Sequence, residues 1–242
     1  MSEDAFAELT SDGVLRAGIN MANPLLVTGK TADGDPAGVA PDMARAIAEA
    51  LGAEVAYVQY AAPGEVADAA DQNLWDIGLI AAEPARAESI AFTAAYVEIE
   101  ATYLVPGGSP LQSIDDVDRD GVRIAVSERS AYDLYLSRSL THAQLARVKG
   151  VDAAFQLFTG ENCDALAGLR PALLPLAEKL QGSRLLDGYF TTVQQAVGTP
   201  RANQAGAAFL RQFVELAKAS GLVRSLIERH GVTGRLSVAP AA

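Results

Sequence analysis

Arg86 stands five residues beyond the end of the apolar run Ile77 to Ala81, and Phe92 follows it by six. A guanidinium just past the carboxyl end of a buried strand lies where open α/β sheets take their ligands. Its planar fork matches the two oxygens of a carboxylate. The chemistry this suggests is capture of a small anion. Glu83, between the strand end and Arg86, is either an ion-pair partner or a second ligand contact. There is no phosphate loop of the Gly-x-x-x-x-Gly-Lys type, no dinucleotide fingerprint and no serine elbow. His142 and His230 are far apart and lack metal-pair spacing. The single cysteine, Cys163, excludes an internal disulfide and a multi-thiolate metal site. No cofactor and no metal are expected.

The elements that must position these residues read as alternating strands and helices. Val14 to Ile19 is a short apolar strand. Pro41 to Leu51 is a helix with Met43, Ala44, Ile47, Ala48 and Leu51 on one face. Pro41 suits its first position, Asp42 its positive end, and Gly52 its stop. Val55 to Tyr60 is a strand, and Gly64 to Leu74 a helix turning Val66, Ala69, Ala70 and Leu74 inward. Trp75 reads as core. Asp76 to Ala81 lacks polar alternation, as a strand buried on both faces should.

After the breaker segment Pro106 to Pro110 the pattern recurs. Val122 to Val126, Leu145 to Val148 and Cys163 to Leu169 read as strands. Ala131 to Leu140, Val151 to Phe158 and Pro171 to Leu180 read as helices. Two similar α/β units suggest two lobes with a cleft between them. The ending is helical: Gly206 to Ala219 with Phe209, Leu210, Phe213, Leu216 and Ala217 on one side, then Leu222 to His230. Ser237 onward reads as a loose tail.

Half of the 242 residues are hydrophobic, enough for a sizeable core. A formal net charge of -11 argues against a nucleic-acid surface and against docking on anionic lipid. No apolar run approaches a membrane span. The N-terminus lacks a secretory signal.

Several landmarks occur in order: Gly18 to Pro24; Gly38 to Gly52 with Asp42 and a Leu51-Gly52 ending; the strand with Arg86 and Phe92; Gly121 to Ser130; Gly160 to Ala167; and Gln194 to Pro200. None is specific alone. As an ordered set they resemble type II periplasmic solute-binding proteins, in particular the polar amino-acid family, bacterial extracellular solute-binding protein family 3. The resemblance implies two Rossmann-like lobes joined by a two-strand hinge. The first part of lobe 1 would span 1–96, lobe 2 97–190, and 191–242 would return to lobe 1. Crossings are expected near Tyr96 to Glu100 and Phe190 to Ala196.

The resemblance also names candidate ligand contacts. Arg86 falls on the arginine that grips the α-carboxylate in amino-acid receptors. The Ser or Thr usual five residues earlier is Ala81 here. Ser130 keeps a hydroxyl at a helix start that favours an anion, alongside its ordinary N-cap role. Arg129 replaces a glycine and either adds charge or faces solvent. Asn20 matches an acidic amine-side position but is neutral; Asn23 reads as a turn former. Gln194 and Gln195 lie where the second crossing would meet the cleft. The usual amine-holding aspartate is Leu169, with Arg170 next. An unpaired ammonium in a closed cleft is costly, so either the ligand lacks an amine or Glu83 or Glu128 serves it.

The expected function is a monomeric solute-binding protein closing on a small carboxylate-bearing ligand, an amino acid or related organic acid. It would serve uptake with an ABC permease, or sensing. The family implies a periplasmic location; the missing signal keeps a cytoplasmic one open. The alternative is a cofactor-free lyase of the cyclohexadienyl or arogenate dehydratase type, with Glu83 or Glu128 as proton donor. An effector-binding regulatory domain is a further rival, but too few residues precede Val14 for a DNA-binding helix pair.

Overall fold

The computed structural model describes residues 2–160 and 163–242. Glu161 and Asn162, inside the landmark beginning at Gly160, lie outside the described residues. In chain order the first elements are α1 (Glu3–Leu9), β1 (Val14–Asn20), β2 (Gly29–Lys30), β3 (Pro36–Ala37), α2 (Val39–Leu51), β4 (Glu54–Tyr60), α3 (Pro63–Asp68), β5 (Ile77–Ala81), β6 (Ile90–Phe92) and β7 (Val97–Val105). There follow β8 (Arg123–Ser127), α4 (Ala131–Ser139), β9 (Gln144–Val148), α5 (Val151–Gly160), β10 (Ala165–Leu169), α6 (Arg170–Glu178) and β11 (Arg184–Leu185). The chain ends with β12 (Thr191–Pro200), α7 (Gln204–Ala219), α8 (Leu222–Arg229) and β13 (Ser237–Val238). It divides into two compact units, one of Met1–Glu98 with Gln194–Ala242, the other of Ile99–Val193.

In the first unit β4, β1 and β5 run parallel, and β12 joins β5 antiparallel. The registers Ala17↔Ile77 and Ile19↔Leu79 bring the carboxyl ends of β1 and β5 side by side. All five residues of β5 are buried, as the uninterrupted apolar run predicts. α2 buries Met43, Ala44, Ile47, Ala48 and Leu51, and Gly52 ends it in the left-handed region at φ 68°. Trp75 is fully buried, its ring N–H donating to the Val66 carbonyl at 3.0 Å. Asp42 accepts from Arg45 at 2.8 Å and pairs with His230 at 2.8 Å, which ties the start of α2 to the end of α8.

Several expectations need correction. α2 begins at Val39, so Pro41 is its third residue; the first-turn amides have no intrahelical acceptor, which makes proline tolerable there. The helix expected over Gly64 to Leu74 breaks into α3 and a short 3₁₀ turn at Ala70–Gln72. Asn73 is left-handed at φ 53°, and Arg16 holds both its carbonyl and its side-chain oxygen. Leu74 is thereby turned outward, 48% exposed.

The apolar stripe of α7 is also rotated. Ala207, Leu210, Val214 and Ala217 are buried at i, i+3, i+7 and i+10, whereas Leu216 is 60% exposed. Against α7 packs α1, which sequence reading missed: Glu8 accepts the Gly206 amide at 2.7 Å. The end of the chain is not loose. β13 pairs with Val97 and Glu98, the Ala239 amide donates to the Tyr96 carbonyl, and Lys218 donates to the Pro240 carbonyl.

In the second unit β10 and β9 flank β8 in parallel, β7 lies antiparallel to β10, and β11 pairs with β7. The turn into β9 is held by Asp118, whose carboxylate accepts the amides of Thr141, His142 and Ala143 and the Thr141 hydroxyl. Partial burial works against its ionisation, but these hydrogen bonds prevail and hold the carboxyl well below the ordinary aspartate value of 3.8. A depressed carboxylate contributes stability fully above that value and loses it as pH falls through the lowered one. Asp118→Asn is therefore expected to lower Tm by about 2–4 °C at pH 7. Thermal melts at pH 7 and pH 3 should show the gap between wild type and variant narrowing in acid; an unchanged gap would contradict the assignment.

Candidate functional site

The carboxyl ends of β1 and β5, and β12 beside them, collect the first-unit candidates. Beyond Ala81 the chain makes successive turns. The Arg86 and Ala87 amides donate to the Glu83 carbonyl, and the Ile90 amide to that of Arg86. These turns bring the Arg86 side chain back over its own strand end. Its Nη1 donates to the Ala81 carbonyl at 2.9 Å, and the residue is only 5% exposed. A guanidinium held here presents a planar fork that matches the two oxygens of a carboxylate. Glu83 is buried beside it, 8% exposed.

β12 completes this edge. The register Gln195↔Ala81 sets the buried Gln195 opposite the strand end, and the Gln194 carbonyl accepts the Ala82 amide at 2.8 Å. At the end of β1, Asn20 turns its side-chain oxygen to the Ala22 amide at 3.1 Å. Asn23 is buried and its oxygen caps Leu25 at 3.1 Å, the turn-forming role expected of it. Asn20 thus shares that role but stays partly exposed at the strand edge.

The second unit carries its candidates on the turn from β8 into α4. Ser130 is the N-cap, its hydroxyl oxygen accepting the Asp133 amide at 3.1 Å. Asp133 returns the favour by accepting the Arg129 amide at 2.7 Å. That bond secures Arg129 in the left-handed region at φ 58°, a conformation that costs a non-glycine residue roughly 1 kcal/mol and explains why glycine suits this position. The amides of Ala131 and Tyr132, in the first turn of α4, have no acceptor within the helix. The Tyr132 hydroxyl is raised above its ordinary range by burial and is hydrogen-bonded to Ser130 and Ser127.

Two features here escaped the sequence reading. Asp133 is 3% exposed and accepts Arg147 Nε at 2.8 Å; the Ser-x-x-Asp spacing from Ser130 is the signal that could have revealed it. The rings of Tyr135 and Phe190 stack at 5.9 Å, a pairing no local pattern announces. Arg170 has structural partners: its Nε donates to Glu100 at 2.8 Å, and its Nη2 to the carbonyls of Leu186 and Gly188.

The model for the bacterial extracellular solute-binding proteins, family 3, matches residues 15–233. The chain belongs to this family. No curated protein sequence matches this solute-binding protein. Solved structures of similar fold include a mutant of the arginine-binding protein ArgBP from T. maritima, at 19% identity and TM-score 0.74, covering 94% of this chain and 99% of that one. The cysteine-binding protein of Campylobacter jejuni is similar at 17% identity and TM-score 0.74, covering 93% and 92%. An ancestral amino-acid-binding protein, described as a precursor of cyclohexadienyl dehydratase, is similar at 21% identity and TM-score 0.73, covering 93% and 98%. The type II fold of this solute-binding protein is thus shared with amino-acid-binding proteins. Among its described residues no helix is long and apolar enough to cross a membrane.

Proposed function

We propose that this protein captures a small carboxylate-bearing solute, an amino acid or related organic acid, by closing its two lobes over it. The observation that carries the reading is the buried guanidinium of Arg86, held at the carboxyl edge of β5 by the Ala81 carbonyl. Arg86 is assigned the carboxylate, with Gln195 as a neighbouring amide donor. The first-turn amides of α4 behind Ser130 are assigned a second share of the anion's charge. Arg129 and Gln194 flank these groups. Arg170, already committed to Glu100 and two carbonyls, is assigned to scaffolding. The family supports delivery to an ABC permease and a location outside the cytoplasmic membrane.

A thermal-shift screen over amino acids, 2-oxo acids and dicarboxylates tests this, because a ligand that binds only the native form raises Tm. At least one carboxylate is expected to raise Tm by several degrees at millimolar concentration. A screen in which every stabilising compound lacks a carboxylate would refute the reading. Incubation with prephenate or arogenate is expected to leave both unchanged.

A further inference from the structure

The chain passes from the first unit to the second between Glu98 and Ile99, within β7. Just before that point the backbone is fastened to the first unit. The Tyr96 amide donates to the Gln195 carbonyl of β12 at 2.9 Å, and the Tyr96 carbonyl accepts the Ala239 amide at 3.1 Å. Val97 and Glu98 pair antiparallel with Val238 and Ser237. Just after it the second unit takes hold. Glu100 accepts Arg170 Nε at 2.8 Å, and the Ala101 carbonyl accepts the Phe190 amide at 3.0 Å. Ile99 therefore stands between two fastened stretches of one strand.

Part of the first fastening is made by the last residues of the chain, which lie beyond the residues 15–233 matched by the family model. This strap is itself anchored. Leu236 and Ala239 are buried. The buried Lys218 side chain donates to the Pro240 carbonyl at 2.7 Å and pairs with Glu215 at 2.7 Å, and Glu215 accepts the Ala242 amide at 3.3 Å. A strand that loses such pairing exchanges it for bonds to water and gains backbone freedom. Bending of this crossing would then spread back through Glu98 and Val97.

We propose that the C-terminal strap is a hinge brace: by pairing with Val97 and Glu98 it confines bending of this crossing to the stretch that begins at Ile99. Closure then orders fewer residues and loses less conformational entropy. The brace rests on the lobe closure given above and concerns its control. Its test adds no ligand, so the carboxylate assignment stands or falls by the thermal-shift screen alone.

The full chain is compared with one ending at Leu236. Both carry Cys163→Ala and spin labels at Glu49→Cys on α2 and Glu178→Cys on α6, one exposed position in each unit. Double electron–electron resonance reads the spread of distances between the labels. Removing the strap is expected to widen that spread about twofold, and to speed hydrogen exchange at the Glu98 amide by about tenfold or more. An unchanged spread overturns the brace, even where Tm falls, because the strap then only adds stability to the first unit. Unchanged exchange at Glu98 overturns it as well. If the shortened chain does not fold, Ala239→Pro takes its place under the same two criteria, since it removes the amide that donates to Tyr96. Failure of both to fold also overturns the brace, the strap being then a part of the first unit's core.

Discussion

Arg86→Ala is expected to lower affinity for the captured carboxylate by tenfold at the least and by about a hundredfold if both fork donors engage it. The reasoning starts from burial. At 5% exposure the guanidinium has little water to fall back on, so an arriving carboxylate meets a poorly solvated cation. A charge-assisted hydrogen bond contributes about 1.5–3 kcal/mol net, and each 1.4 kcal/mol is a factor of ten. Arg86→Lys should fall between wild type and alanine, because an ammonium keeps the charge and loses the planar pair of donors. Calorimetry with a ligand found by the screen measures this. Unchanged affinity in a folded alanine variant would remove Arg86 from the site. Circular dichroism must accompany it, since the bond to the Ala81 carbonyl is also lost.

The largest effect on stability is expected at Gly38, the residue that caps α2. Its φ is 153°, which L side chains rarely adopt. A Cβ there would lie 2.2 Å from the Leu26 carbonyl oxygen and 2.8 Å from the Val27 Cα. Both are backbone atoms, so no side chain can swing aside. Withdrawing the loop would break the bond from the Ala40 amide to that same Leu26 carbonyl. Gly38→Ala therefore combines overpacking with backbone strain, together about 3 kcal/mol or more. Tm should fall by roughly 6–12 °C. A drop under 2 °C would show that the segment 24–28 yields more readily than its hydrogen bonds suggest.

How much of this was legible in the sequence depends on whether the signal was local. The β5 run and the α2 face were plain because burial imposes a period on neighbouring residues. Arg86 was legible because a strand end is a fixed place in an α/β sheet. Asn73 hid its role, since its left-handed turn depends on Arg16 arriving from a distant strand. The rotation of α7 was equally hidden: Phe209, Phe213 and Leu216 look like a core stripe until α1 covers the adjacent face. The Tyr135–Phe190 stack joins residues 55 apart in sequence and leaves no periodic trace. Where the Arg170 side chain goes was not legible, because a strand-end position says where a side chain begins and its pairing with Glu100 says where it ends.

The strap formed by the final residues carries a practical lesson for anyone wiring this molecule into a biosensor. Ser237 and Val238 are zipped to Glu98 and Val97, the last two residues before the polypeptide leaves the first unit. A reporter attached close to that pairing would sit beside the departure point. Loss of Ser237 and Val238 would slacken the same junction, so their integrity belongs among the quality controls of any preparation.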